Sequence, residues 1–182
     1  REDNPVPTGP IDLATGLIRS VNQATLNLAM LLPNGARSVV ETANKMGVWG
    51  NPGIVRDSDG NVWFRKPGYQ IEGGLEVGLP TVIGASDVNM LELANAYAVF
   101  FRGGTYMPPT LVSEIRSTYG NDVIFRQEEP AGKRVLSEDT SNKMLGLMRA
   151  VTKIGTAKIS MRNIEQQVAC KTGTSNGPRD VS

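Results

Sequence analysis

Two short motifs hold the residues best suited to chemistry: Ser20-Val21-Asn22, and Lys171-Thr172-Gly173-Thr174, with 148 residues between them. A lysine on an extended segment, followed by Thr and then Gly, presents an ammonium and a hydroxyl beside main chain that no side chain obstructs. Such an edge can receive a peptide. Lys171 and the hydroxyls of Thr172 and Thr174 suit a terminal carboxylate, and the edge suits the backbone of an extended substrate. A serine such as Ser20 near that ammonium can pass a proton, and the Asn22 amide can hold a substrate carbonyl and orient a neighbouring lysine. Ser-x-Asn arises by chance roughly once in several hundred residues and Lys-Thr-Gly roughly once in several thousand, so the second motif is the more informative. Taken alone, Ser20 and Asn22 also suit a break between helices with a local cap, and Lys171 a solvated strand lysine.

The 182-residue chain contains no histidine, which removes the Ser-His-Asp and Cys-His couples and leaves acid/base work to Lys, Ser, Tyr and carboxylates. A protein zinc site would need carboxylates and the single Cys170. Cys170 follows Val168 and Ala169 and reads as a small core residue rather than a nucleophile. With 19 Lys+Arg against 18 Asp+Glu and a net charge of +1, no basic stripe is available to neutralise phosphates, so nucleic acid is not an expected partner. Glu72, Glu76 and Asp87 give no specific support to a paired-carboxylate glycosidase. The longest apolar run, Ala96 to Phe101, falls far short of the roughly 20 residues that span a bilayer. The chain opens on Arg1 and ends on Asp180-Val181-Ser182 just after a Gly-Pro turn signal, so both ends read as cut.

The elements that must position these motifs follow from periodicity. Leu13, Leu17, Val21, Ala24, Leu28 and Leu31 recur at helical spacing between Pro10 and Pro33, with a break expected at Ser20-Val21-Asn22. A second stretch, roughly Ala36 to Met46, closes on Gly47. Trp49 to Pro80 reads as loop-rich, with Asp59-Gly60-Asn61 turning between two short extended runs. Ser86-Asp87 is expected to cap a helix with Met90, Ala94, Tyr97, Ala98 and Phe101 on its core face, ended by Gly103-Gly104. Alternation from Leu111 to Tyr119, then Gly120-Asn121 and Val123-Ile124-Phe125, predicts a hairpin. Ser137 opens a helix with Met144, Leu147, Met148 and Val151 on one face, ending near Gly155, and Gln166 to Thr172 is expected to be a strand.

The two motifs, so placed, resemble those of the penicillin-recognising serine acyl transferases, whose set is Ser-x-x-Lys, Ser-x-Asn and Lys-Thr-Gly. More narrowly the chain is similar to the transpeptidase domain of class A, bifunctional penicillin-binding proteins. Leu13-Ala14-Thr15-Gly16-Leu17-Ile18-Arg19-Ser20-Val21-Asn22 resembles the helix leading into the family's second motif. The run from Gly84 to Tyr97, with Gly103-Gly104 and Pro108-Pro109 after it, resembles a long family helix, and Gly155-Thr156-Ala157 with Val168 to Thr174 resembles the approach to the third motif. Arg179-Asp180 fits the turn after it.

The resemblance implies an α+β fold, helices packed on an antiparallel sheet, mostly helical in this segment. It implies that Ser20 relays a proton, Asn22 orients substrate, and Lys171, Thr172, Gly173 and Thr174 form the carboxylate and backbone site, the Thr174 N–H supplying half of an oxyanion hole. The implied reaction is D,D-transpeptidation of a peptidoglycan stem peptide ending in D-Ala-D-Ala, with β-lactams as inhibitors, no metal or organic cofactor, and a membrane-anchored parent acting outside the cytoplasm. No serine is followed by lysine three residues on: Ser20 meets Gln23, Ser38 Glu41, Ser137 Thr140 and Ser175 Pro178. Residues 1–182 are therefore expected to be a partial domain, with the nucleophile motif, flanking strands and glycan-polymerising domain in missing parts of the same polypeptide. Cys170 also stands where the family usually has Gly. The rival readings are a serine β-lactamase-like hydrolase, disfavoured by Val21 where that group has Asp, a non-catalytic relative of the same fold, and a helical interaction domain with an accidental tetrad.

Overall fold

The computed structural model describes residues 9–50, 55–56, 62–63, 75, 77–128, 130–164 and 166–174. Helix α1 (Leu13–Ile18) opens on Asp12, whose carboxylate accepts the Thr15 N–H at 2.8 Å and the Thr15 hydroxyl at 3.0 Å. Those bonds hold the Asp12 carboxyl below its ordinary pKa. The expected break follows, and α2 (Asn22–Leu31) and α3 (Ala36–Lys45) complete the first half. Strands β1 (Val55–Arg56) and β2 (Val62–Trp63) pair antiparallel; the turn read at Asp59-Gly60-Asn61 lies outside the described residues. A one-turn helix, α4 (Leu79–Val82), stands where the sequence suggested only loop.

The second half centres on α5 (Met90–Phe101) and α6 (Glu138–Ile154), which pack together. Between them run β3 (Thr105–Tyr106), β4 (Glu114–Arg116), β5 (Val123–Arg126) and β6 (Lys133–Arg134). β3 pairs with β6, and β4 with β5, both antiparallel, so the described strands form three two-stranded sheets. The β4–β5 hairpin is the predicted one, turning at Gly120 and Asn121, which adopt φ of 91° and 61°. The architecture is α+β and mostly helical. Its main core gathers Val40, Met46, Val48, Leu75, Ala96 and Val99, with Phe100 and Tyr106 packed on it.

Three local expectations are corrected. The cap of α5 is Asn89, whose Oδ1 accepts the Leu91 N–H at 2.8 Å, whereas the Ser86 hydroxyl is engaged by Thr81 at 2.6 Å. The core face of α5 is Ala96 and Val99; Ala94 is exposed, and Met90 and Phe101 are 85% and 66% exposed. This helix is apolar around most of its circumference, so periodicity does not select a face and packing against α6 and β3 does. Residues 166–174 do not form a strand. A short extended run becomes a strand only when its backbone pairs with another, and here the backbone bonds to α6: the Cys170 N–H donates to the Met148 carbonyl at 3.3 Å, and the Thr152 hydroxyl, directed mainly at the Arg149 carbonyl at 2.7 Å, also lies 3.2 Å from the Val168 carbonyl. The expectation for α6 holds, with Ser137 as its cap and Met148 and Val151 buried.

The corrected face of α5 can be checked by urea unfolding. Val99→Ala, at a site with 0% exposure, should cost about 2 kcal/mol through lost burial and a residual cavity, while Met90→Ala should stay within about 0.5 kcal/mol. Equal costs at the two positions would contradict the packing.

Candidate active site

Four helices end in the same hydrogen-bonded turn, in which the chain reverses through one left-handed residue. In α3, α4 and α5 that residue is glycine: Gly47 (φ 88°), Gly84 (φ 88°) and Gly103 (φ 60°). The paired bonds recur as Val48 N–H to Ala43 O with Gly47 N–H to Asn44 O, and as Gly104 N–H to Val99 O with Gly103 N–H to Phe100 O. At the end of α1 the same pattern runs from Val21 N–H to Gly16 O at 2.9 Å and from Ser20 N–H to Leu17 O at 3.1 Å. Here the left-handed residue is Ser20, at φ 55°. A side chain in that conformation costs on the order of 1–2 kcal/mol, which glycine avoids. The strain at Ser20 is therefore a stability cost retained at a position where a hydroxyl is presented.

The hydroxyl meets the other motif. Lys171 Nζ donates to Ser20 Oγ at 2.6 Å and to the Thr172 carbonyl at 2.8 Å, so side chains 151 positions apart in sequence are in direct contact. The ammonium is half-buried, and burial lowers its pKa, opposed in part by the neighbouring Cys170 sulfur. Tyr97 is also half-buried; burial raises its phenol pKa, and Cys170 raises it further. Thr172 hydrogen-bonds through its hydroxyl to the Thr156 hydroxyl at 2.6 Å.

The scaffold for this contact is the C-terminal end of α6. Gly155, which closes the helix, packs against α1 so closely that a Cβ there would lie 2.5 Å from the Ile18 carbonyl oxygen and 2.7 Å from Val151 Cα. The Thr156 N–H donates to the same Ile18 oxygen at 3.4 Å. Met148, Thr152 and Thr156, spaced by four, anchor Cys170, Val168 and Thr172 in turn. One helix end thus holds the turn carrying Ser20 on one side and the Lys171 segment on the other.

The remaining predicted site residues lie around this contact without joining it. Asn22 is the first residue of α2, two positions from Ser20, exposed and not hydrogen-bonded to Lys171 or Ser20. Gly173 and Thr174 are exposed. A Cβ on Gly173 would meet nothing within 4 Å, and its φ is not left-handed, so neither internal packing nor backbone geometry requires glycine there. What the missing side chain leaves is open approach from solvent. Gly155 and Thr156, which the sequence marked only as part of a run resembling the approach to the third motif, gain from the structure a role that the sequence did not assign.

A serine hydroxyl held by a half-buried lysine, on an α+β scaffold with no histidine in the chain, is the arrangement that the two sequence motifs led one to expect. The chain belongs to the Penicillin binding protein transpeptidase domain family, whose profile matches residues 1–178. It is 27% identical to penicillin-binding protein 1A of Aquifex aeolicus over 95% of this chain and 20% of the relative. It is 36% identical to penicillin-binding protein 1F of Bacillus subtilis over 57% of this chain and 13% of the relative. Among solved structures, PBPA from Mycobacterium tuberculosis shares the fold, with a TM-score of 0.63 and 24% identity over 93% of this chain and 39% of that one. The chain therefore spans about a fifth or less of the length of these curated relatives.

Two measurements test the site's physics. In chemical denaturation Ser20→Gly should be more stable than Ser20→Ala by about 1 kcal/mol, although both lose the hydroxyl, because only glycine relieves the left-handed backbone. For Lys171, the folded chain gives up the ammonium proton at a lower pH than the unfolded chain does. Between those two values the unfolded chain binds the extra proton, so stability should rise with pH through that alkaline window, and Lys171→Met should flatten the rise.

Proposed function

We propose that this chain supplies the Ser-x-Asn and Lys-Thr-Gly parts of a peptidoglycan D,D-transpeptidase and that it is a partial domain of a longer polypeptide. The observation that carries the reading is the 2.6 Å bond between Lys171 Nζ and Ser20 Oγ. That bond directs an ammonium proton at Ser20, which leaves the serine's own proton free to point into the site. In the proposed reaction a serine of a Ser-x-x-Lys segment elsewhere in the polypeptide attacks the penultimate D-Ala carbonyl of a stem peptide. The lysine of that segment takes the attacking serine's proton and passes it to Ser20 as Ser20 gives its own to the leaving nitrogen, so terminal D-Ala departs. The amine of a second stem then attacks the acyl-enzyme, and as the cross-link forms the serine ester breaks and the amine's proton returns to the serine. Lys171, Thr172 and Thr174 hold the terminal carboxylate, Asn22 orients the stem, and the Thr174 N–H donates to the developing oxyanion.

Extended substrate backbone lies along residues 171–174, where Gly173 is open to solvent. A β-lactam, with its carboxylate and strained amide, would occupy the same site and acylate the same serine. The substrate fixes the proposed location, the outer face of the cytoplasmic membrane. Among the described residues no helix is long and apolar enough to cross a membrane, so this proposal places the anchor in another part of the polypeptide.

The absence of Ser-x-x-Lys from the sequence makes the first expectation specific: residues 1–182 alone form no covalent adduct with a fluorescent penicillin. Stoichiometric labelling of a serine within them would overturn the division of labour. In the full-length polypeptide, Lys171→Ala should slow acylation by a hundredfold or more, on the order of 3 kcal/mol for a charge-assisted anion contact. Stopped-flow acylation rates unchanged by the substitution would refute the assignment.

A further inference from the structure

The hydroxyls of Thr156 and Thr172 lie 2.6 Å apart, half-buried, and a pair of hydroxyls at that distance shares one proton between the two oxygens. Two arrangements are possible, and they differ in what Thr172 offers to the site. If Thr172 donates to Thr156, only oxygen lone pairs face outward, and a carboxylate arriving there is repelled. If Thr156 donates, the Thr172 oxygen is satisfied as an acceptor and its own proton is free to point at the carboxylate. Chains of hydroxyls polarise in one direction, so an anion bound at one end favours the second arrangement.

The geometry points to Thr156 as a positioning residue: it sets the direction of the Thr172 hydroxyl proton and so the site's preference for a ligand carrying a free carboxylate. This rests on the reading of residues 171–174 as a carboxylate site. Thr156 is well placed for such a role. Its N–H is bonded to the Ile18 carbonyl at 3.4 Å, and Gly155 before it sits against α1, which fixes its backbone relative to the turn that presents Ser20. Thr156 thus acts on Thr172 and has no contact with the reacting atoms of its own. Thr152 is the natural comparison, because its hydroxyl also reaches the same segment, at the Val168 carbonyl, without touching Thr172.

The test uses the full-length polypeptide and two probes, benzylpenicillin and its methyl ester, which differ only in the carboxylate. Thr156→Val should lower the acylation rate constant for benzylpenicillin about fivefold to tenfold, chiefly by weakening the initial complex, and leave the rate for the ester within about twofold. Thr156→Ser, which keeps the hydroxyl, should restore the parent ratio between the probes, and Thr152→Val should not change that ratio. Equal losses on both probes in Thr156→Val, an unchanged ratio, or the same selective loss in Thr152→Val would each overturn the inference. Because the ratio is read within one variant, a drop in the folded fraction cancels. Lys171→Ala in the same assay keeps the two claims apart. An unchanged rate there refutes the carboxylate site itself, whereas a collapse there with an unaltered Thr156→Val ratio refutes only the role of Thr156.

Discussion

The contact on which the site depends is the approach of the α6 terminus to the last carbonyl of α1. At Gly155 two backbones come close enough that even a methyl group would collide with the Ile18 oxygen. That carbonyl belongs to the turn that presents Ser20, and the helix that ends at Gly155 carries the residues that hold the Lys171 segment. A wider separation would leave both motifs intact in sequence and unable to meet. The 2.6 Å bond between them is therefore a consequence of backbone packing, and the side chains exploit a distance that Gly155 sets.

The same region carries two costs that a purely structural protein would avoid. Ser20 occupies a left-handed position that three other helices in this chain fill with glycine, and Lys171 keeps an ammonium where burial disfavours charge. Each cost leads to the same pair of atoms. The strained turn points a hydroxyl at the lysine, and the accepting oxygens of Ser20 and Thr172 partly compensate the desolvated ammonium. Strained backbone and desolvated charge of this kind cluster at functional sites, and here both meet at one hydrogen bond.

Membership of the penicillin-binding transpeptidase family agrees with this reading of the local chemistry and with the α+β scaffold. Within that scaffold the described strands occur only as two-stranded pairs, and residues 166–174 bond to α6 instead of to a sheet. With no side chain at Gly173 and nothing within 4 Å of where one would stand, this segment leaves room for an incoming peptide.

Much of this was legible in the residues themselves. Polar Ser20 and Asn22 within an apolar helical period marked the break between α1 and α2, Ser137 and the Met148 and Val151 stripe marked α6, and Gly120-Asn121 marked the hairpin. Those signals are local, arising from side-chain competition for backbone groups and from the helical and extended periods, so one segment suffices to read them. The chemical identity of the two motifs was equally readable, since it resides in residue types. The sequence could not select the buried face of α5, where apolar residues surround the helix, nor foresee that residues 166–174 would lie on α6 without a strand partner. It marked Thr156 only as part of a run resembling the approach to the third motif and gave it no role, because that role comes from a neighbour sixteen residues away. Contacts of that kind depend on which elements pack together and how closely, and only the tertiary structure decided that Ser20 and Lys171 would share a hydrogen bond.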